Sequence, residues 1–437
     1  MNELSDTWQI NQRSRLFELF VDYSYMFLLV IASNTLYNSN KLTSARTIPV
    51  AAALIVIPVS LQVIRMHKNT NYIKLINFYV SYFLACALFV GLVKFNGKGQ
   101  FISTFLIFLP VSILYVYARL LDGKFETVVR RFVNTVVLVA LISIIFWMLF
   151  SNLHLAHGKV MFSEWAGSNI TNYFWVHFDT QQQVIAGKLL TRNTSIFPEA
   201  PMYAYLLLCA LLSELYIRKN LKVWHVVVLF GTIVTTMSTT GIVFGAAAIL
   251  LKIVIKNFYK FNLKKMLIIL PVLVAVLGII GVSVIHKTGS SSGLLRNDDL
   301  HAGYVAWKKS PLIGNGFGNM QVVRQAMGKW RWDAGKKLTT GFTAGIAQVL
   351  NDGGIYLLLF YLMPVIKALI DLKSKRKNNQ VLIALLFILG ALVLTIEPYT
   401  AVTIFILSIS YVYYFIADDD MLNKDSNSSV LLSGQGD

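Results

Sequence analysis

Long apolar segments alternate with short polar loops along most of this chain. Because a helix needs about 20 apolar residues to cross a bilayer, the pattern predicts about twelve membrane-spanning helices. Their approximate positions are 16–36, 48–64, 76–96, 101–119, 132–150, 202–217, 222–239, 241–257, 266–285, 343–370, 380–396 and 399–416. The predicted fold is an all-α polytopic membrane protein. Residues 1–416 would form one integral membrane domain, and 417–437 a disordered cytoplasmic tail.

Two long polar stretches, 151–201 and 286–342, interrupt this pattern. Lysine and arginine collect in the short loops on the opposite side of the predicted spans. The positive-inside rule places those basic loops, and both termini, in the cytoplasm. The two long stretches are therefore expected to be large extracytoplasmic loops.

Composition supports this topology, since 56% of the residues are hydrophobic and only 14% are charged. Much of the formal charge of +18 follows from the cytoplasmic loops, so no nucleic-acid partner is expected. The outer stretch 286–342 is an exception, with nine basic and three acidic residues and a net charge of +6. Such a loop attracts anions such as lipid phosphates, either at a specific site or as general affinity for anionic headgroups.

The first outer stretch ends with an arginine and a carboxylate, Arg192 and Glu199, directly before the sixth predicted span. Arginine binds phosphate through a planar fork, and a carboxylate in a partly apolar setting can act as a general base. The alternative is a pair of side chains that anchor a helix end at the membrane surface. The same stretch interleaves polar residues with aromatic ones, which suits sugar binding but also an interfacial aromatic belt. The aromatic residues are Trp165, Tyr173, Phe174 and Trp175.

In the second outer stretch, Leu300, Tyr304 and Trp307 recur at helical spacing and predict an amphipathic helix. A close-packed turn is expected at 310–318. Its glycines do not indicate a nucleotide site, because no strand precedes them and no lysine-serine pair follows. Cys86 and Cys209 fall in predicted spans and the histidines lack metal-ligand spacing, so no metal site is predicted.

Three local motifs, together with the topology, resemble the bacterial O-antigen polymerase and O-antigen ligase family of membrane glycosyltransferases. The motifs are Arg192-x-x-Ser195-x-Phe197-x-Glu199-x-Pro201, the break Ser238-Thr239-Thr240-Gly241, and Arg296 followed by Trp307 and Ser310-Pro311-Leu312-Ile313-Gly314-Asn315-Gly316. Ser195 stands where the family often has glycine. The family's ligases carry a histidine at the start of the span after the second loop, where this chain has Thr339-Thr340-Gly341.

The resemblance implies a GT-C-like polymerase of undecaprenyl-pyrophosphate-linked oligosaccharide repeat units at the outer face of the bacterial cytoplasmic membrane. The product would be O-antigen, capsule or exopolysaccharide, made with inversion at the anomeric carbon and without a cofactor. Membrane lipids and a chain-length regulator protein are the further partners that it implies. The implied pyrophosphate ligands are Arg192 and Arg296, assisted by Lys308 or Arg324. Glu199 or His301 would deprotonate the acceptor hydroxyl.

Two alternatives remain at this point. One is a ligase-type glycan transferase, which the missing histidine disfavours. The other is a flippase or transporter of lipid-linked sugars, for which Asn351-Asp352-Gly353-Gly354 in the tenth predicted span is the best intramembrane candidate.

Overall fold

A computed structural model describes residues 2–39, 47–67, 72–96, 98–165, 167–185, 187–258, 291–331, 341–372, 380–395, 398–418 and 421. Most of these residues are helical. The helices longer than four residues are α1 (Asn2–Ile31), α2 (Thr47–Met66), α3 (Ile73–Leu92), α4 (Lys98–Leu121), α5 (Phe125–Asn152), α6 (Ala200–Ile217), α7 (Val223–Thr235), α8 (Thr239–Phe258), α9 (Ser291–Lys309), α10 (Gln321–Ala326), α11 (Gly345–Leu372), α12 (Gln380–Leu392) and α13 (Ala401–Ile416).

Seven helices in these ranges, α2 to α6, α8 and α11, are long and apolar enough to cross a membrane, and α7, α12 and α13 are shorter apolar helices. They indicate a membrane protein. Each predicted span that falls on described residues coincides with a helix. The first of these helices, α1, ends at Ile31 instead of 36. The ninth predicted span, 266–285, lies outside the described residues.

Helix α6 is the most enclosed of these membrane-length helices, with 89% of its apolar window buried against 22% in α3. It packs against α5, α7, α8, α12 and α13. One polar contact inside this bundle joins Tyr205 Oη and Thr403 Oγ1 at 3.0 Å, between α6 and α13. Since α6 begins at Ala200, directly after Glu199, the candidate carboxylate stands at the end of a rigid, deeply packed element.

The first outer stretch contains five short strands, so the purely helical expectation does not hold for this segment. Strands β1 (Lys159–Ser163), β2 (Ser168–Tyr173) and β3 (His177–Asp179) form an antiparallel sheet, and β4 (Gln182–Ile185) pairs with β5 (Lys188–Thr191) as a hairpin. Both β1 and β2 contain β-branched or aromatic residues, among them Val160, Phe162, Ile170 and Tyr173, which favour pleated structure. Gly167 and Gly187 have φ angles of 58° and 77° and form the tight turns.

This small β-structure rests on the end of α5. The Phe150 ring stacks on Tyr173 with centroids 5.6 Å apart. Ser151 Oγ donates to Asp179 Oδ1 at 2.6 Å, and Trp147 Nε1 donates to the Thr191 carbonyl at 2.9 Å. The strands are therefore held by a membrane-length helix and lead directly to Arg192.

A helix, α9, is present where the second outer stretch was predicted to be helical, with Leu300 and Tyr304 exposed on its surface. The turn that follows it packs into a break in α11. This break lies at Gly354, with φ 60° and ψ −153°. The N–H groups of Ile355 and Tyr356 donate to the carbonyls of Pro311 and Leu312 at 2.9 and 3.0 Å. The segment 311–318 thus supplies acceptors that the broken helix lacks.

Two glycines allow this close approach. A Cβ on Gly314 would lie 2.6 Å from the Asn351 carbonyl, and a Cβ on Gly354 would lie 2.5 Å from the Leu312 carbonyl. Buried Asp352 adds to the contact, because it accepts hydrogen bonds from Gly318 N at 3.3 Å and Tyr399 Oη at 2.8 Å. The break is therefore filled by protein.

Candidate functional site

Arg192 follows β5 directly and is fixed on two sides. Its Nε donates to the Thr236 carbonyl at 2.8 Å, and its Nη1 donates to Gln181 Oε1 at 3.2 Å. The same Gln181 oxygen accepts from Ala200 N, the first amide of α6, at 3.0 Å. The guanidinium is thus oriented by the β-structure, by the end of α7 and by the start of α6.

Arg296 reaches the same region from the second outer stretch. It lies on α9, and its Nη1 donates to Thr240 Oγ1 at 3.1 Å. Thr236 and Thr240 flank the short break between α7 and α8, where Met237 has a φ of 52°. Residues more than 100 positions apart therefore converge on one break.

The break leaves backbone polar groups without partners inside a helix, because α7 ends there and α8 begins there. Helix α7 ends at Thr235, so the Thr236 carbonyl is available to Arg192. Helix α8 begins at Thr239, and the first N–H groups of a helix have no partners within that helix. A helix N-terminus favours anions, and here it lies beside the side chain of Arg296.

The two guanidinium groups have free donors. Within the described residues, neither forms an ion pair with a carboxylate, and neither Nη2 donates a hydrogen bond. The two acids in the described part of the second outer stretch are already paired. Arg331 forms ion pairs with Asp298 at 2.8 Å and with Asp299 at 2.7 Å. The positive charge of Arg192 and Arg296 is therefore not neutralised by an ion pair on the described residues.

Electrostatics confirm that these groups share one environment. Burial lowers the pKa of Arg192 to about 10, while the Glu199 carboxylate raises it and the Arg296 cation lowers it. Burial also lowers the pKa of Arg296, and the carboxylates of Asp299 and Glu199 oppose that shift. Both arginines remain charged at pH 7, although burial disfavours the charged form.

Glu199 has extended backbone angles, φ −140° and ψ 141°, and precedes the first residue of α6. Its side chain does not cap that helix. Instead, Glu199 Oε1 accepts a hydrogen bond from Trp165 Nε1 at 2.9 Å, across the first outer stretch. The second oxygen, Oε2, accepts no hydrogen bond from the described part of the chain. One carboxylate oxygen is therefore held, and the other is left without a hydrogen-bond partner on the described residues.

The backbone between Arg192 and Glu199 is tightly constrained. Asn193 Nδ2 donates to Thr235 Oγ1 at 3.0 Å, and Ser195 N donates to Asn193 Oδ1 at 3.2 Å. Ser195 has a φ of 49°, in the left-handed region that favours glycine. This geometry gives a physical reason for a glycine preference at the position.

The remaining predicted site residues are not bonded to this pair. On the described residues, no hydrogen bond or ion pair joins His301, Lys308 or Arg324 to the Arg192–Arg296 pair. All three are exposed. His301 follows Arg296 by five residues, which places it roughly 140° around α9. Lys308 Nζ lies 4.6 Å from the Tyr304 ring centroid, and Arg324 is on the short helix α10.

Sequence reasoning did not identify Gln181 and the Thr236 carbonyl, which orient Arg192, or Trp165 as the partner of Glu199. Glutamine runs and backbone carbonyls carry no recognisable local pattern. Trp165 was noted only as one of several aromatic residues in its stretch. The sequence alone did not show that Trp165 lies in the turn between β1 and β2, and this turn is what brings it to Glu199.

The described residues contain no group of three or more histidine, cysteine or acidic side chains arranged to hold a metal ion. Two partly buried arginines meet at a helix break beside a carboxylate, and the chemistry of this arrangement suits an anion. No family model, curated protein or solved structure matches this chain.

Proposed function

We propose that this protein is a membrane glycosyltransferase that polymerises oligosaccharide repeat units carried on undecaprenyl pyrophosphate. The observation that supports it most is the convergence of Arg192 and Arg296 on one helix break beside Glu199. The three motifs that resemble the O-antigen polymerase and ligase family are far apart in sequence, yet one polar residue of each, Arg192, Thr240 and Arg296, lies at this break or is bonded to it.

The pyrophosphate of the donor lipid binds between the two arginines. Each guanidinium presents free N–H donors, and the first turn of α8 adds backbone N–H groups. As the bond from the anomeric carbon to the pyrophosphate oxygen breaks, negative charge grows on the leaving group. Fixed cationic donors in a partly dry site stabilise that charge without reorganisation.

Glu199 acts as the general base. A hydroxyl of the acceptor sugar attacks the anomeric carbon from the side opposite the leaving group, and its proton passes to Glu199 Oε2. The anomeric configuration is thereby inverted. The lipid pyrophosphate leaves, and the glycan is longer by the donor's chain. Protonated Glu199 must then release its proton to the outer aqueous phase before the next cycle.

Two structural features favour transfer over transport. The break in α11 beside Asp352 is the best candidate for an ion or substrate passage, but the segment 311–318 fills it. The unpaired arginines belong to the two polar outer stretches and donate hydrogen bonds to the break between α7 and α8. A transferase needs its charged groups at such a surface, whereas a flippase needs them along a path through the bilayer.

A complementation experiment tests this function. The gene is deleted in the source organism and restored as wild type, Arg192→Ala, Arg296→Ala or Arg324→Ala. Surface and lipid-linked glycans are then sized on a gel. The first two variants should give single repeat units that reach the surface or accumulate on lipid at the outer leaflet. Arg324→Ala, an exposed arginine in the second outer stretch, serves as the matched control and should give long chains.

Two other outcomes would change the assignment. Repeat units confined to the cytoplasmic leaflet in the deletion strain would identify a flippase. Long lipid-linked polymer that is not attached to its final acceptor would identify a ligase.

A further inference from the structure

Trp165 differs from the other aromatic residues of the first outer stretch. It lies in the turn between β1 and β2, a turn closed by a hydrogen bond from Gly167 N to the Ser163 carbonyl at 2.9 Å. The hairpin carries the indole back to Glu199, 34 residues further along the chain, where Nε1 donates to the carboxylate. Its N–H edge is thus fixed in the site described above.

Trp165 is nevertheless 44% exposed. Within the described part of the chain, no aromatic ring or cation packs against it. Phe174 and Trp175 are also exposed, but their rings contact Phe150 and Phe178 with centroids 5.6 and 6.2 Å away. Trp165 therefore presents an unpartnered aromatic surface whose edge is anchored to a catalytic carboxylate.

An exposed indole beside a carboxylate matches the chemistry of a pyranose ring. The C–H groups on one face of a sugar pack on an aromatic ring, while the hydroxyls at its rim need hydrogen-bond acceptors. A sugar stacked on Trp165 would have its rim beside Glu199. The fixed Nε1 contact also defines the orientation of the ring before substrate arrives, which reduces the entropy lost on binding.

We propose that Trp165 forms the acceptor-sugar subsite, in which the sugar stacked on the indole is the one whose hydroxyl Glu199 deprotonates. This inference rests on the proposed function for the role of Glu199. The binding of saccharide to Trp165 can be measured without polymerisation. Trp165 thus determines which acceptor sugar binds, and its hydrogen bond to Glu199 holds the ring in position.

The test uses the purified full chain in lipid nanodiscs and the free oligosaccharide repeat unit, released from its lipid pyrophosphate by mild acid. Binding is measured by calorimetric titration for wild type, Trp165→Ala, Trp165→Phe and Trp175→Ala. The first variant should weaken binding about tenfold or more, which corresponds to the loss of one good stacking contact. Trp165→Phe keeps a ring and should stay within about threefold of wild type. Trp175→Ala, which removes an equally exposed tryptophan, should bind normally.

Three results would overturn the subsite. In the first, Trp165→Ala and Trp175→Ala bind the saccharide with equal affinity. In the second, Trp165→Phe loses as much affinity as Trp165→Ala. In the third, wild type does not bind the saccharide. The second would show that the indole N–H matters and the ring face does not. Loss of polymer in Arg192→Ala together with normal saccharide binding by Trp165→Ala would reject the subsite alone. Normal polymer in Arg192→Ala with weak saccharide binding by Trp165→Ala would reject the proposed mechanism and keep the subsite.

Discussion

Arg296 donates a hydrogen bond from Nη1 to Thr240 Oγ1 at 3.1 Å, and this contact ties the second outer stretch to the break between α7 and α8. Four residues earlier, the carbonyl of Thr236 receives Arg192 from the first outer stretch. The break is thus a common support for two cations that approach from different parts of the chain. Its geometry sets where an anion would bind.

The arginine pair should determine turnover. Arg192→Ala or Arg296→Ala is expected to slow glycan transfer by about 30- to 1,000-fold, equivalent to about 2–4 kcal/mol of lost transition-state stabilisation. Arg192→Lys should recover little, because an ammonium group cannot keep the bonds to Thr236 and Gln181 while also binding the ligand. Initial rates of polymer formation in isolated membranes check this, with Arg324→Ala as the control. Equal rates in Arg192→Ala and Arg324→Ala would contradict it.

Thr240 should act through the orientation of Arg296. Thr240→Val removes the acceptor oxygen but keeps the shape of the side chain, so the rate should fall by roughly two- to twelvefold, the value of one hydrogen bond. Thr240→Ser retains the oxygen and should be nearly normal. The same rate assay measures both variants. A Thr240→Ser variant as slow as Thr240→Val would indicate that the methyl group, and hence packing, is what matters.

Anion binding should stabilise the protein. Burial lowers the pKa of Arg192 to about 10, so the folded state carries an unfavourable charge throughout the neutral range. That cost is constant at lower pH, begins to shrink as the pH rises above the lowered pKa, and is gone only above the ordinary pKa of arginine. Inorganic pyrophosphate should therefore raise the unfolding temperature at pH 7, with about 2.7 kcal/mol of stabilisation at a hundredfold excess over Kd. The Arg192→Ala variant should show no rise.

Sodium chloride at matched ionic strength is the control for this measurement, because general screening would affect both proteins alike. A rise of the same size with chloride, or in the Arg192→Ala variant, would show that the anion binds elsewhere.

The close contact between the segment 311–318 and the break in α11 at Gly354 should be important for folding. Gly354→Ala places a Cβ 2.5 Å from the Leu312 carbonyl at a φ of 60°, so we expect destabilisation of about 1–3 kcal/mol or more. Gly91→Ala, in helix α3, has no atom within 4 Å of the added carbon and should be neutral or slightly stabilising. Thermal unfolding in detergent compares the two variants. Equal unfolding temperatures would mean that the break relaxes without cost.

Sequence periodicity was sufficient for the helices of the membrane region and for α9, because each carries a long apolar or amphipathic pattern. It did not predict the five strands. Their segments are only three to six residues long, and the sheet is stabilised by contacts with distant residues such as Phe150 and Trp147. Short strands of this kind depend on tertiary packing more than on local preference.

The candidate site was predicted in part. Arg192, Glu199 and Arg296 were identified because arginine and carboxylate at a membrane surface are chemically unusual. His301, Lys308 and Arg324 were chosen by residue type, and no hydrogen bond or ion pair on the described residues joins them to the pair; their role stays a prediction. No sequence pattern indicates that a glutamine side chain or a helix-end carbonyl will orient a guanidinium.

The most direct test of the central claim is a reconstitution. Purified protein is placed in liposomes with lipid-linked repeat units as both donor and acceptor, and mass spectrometry measures glycan length and released undecaprenyl pyrophosphate. Wild type should release one lipid pyrophosphate for each new linkage, and Arg192→Ala and Arg296→Ala should release almost none. Chain growth in both variants at the wild-type rate, or none with wild type, would contradict the assignment of the Arg192–Arg296 pair as the pyrophosphate site of a polymerase.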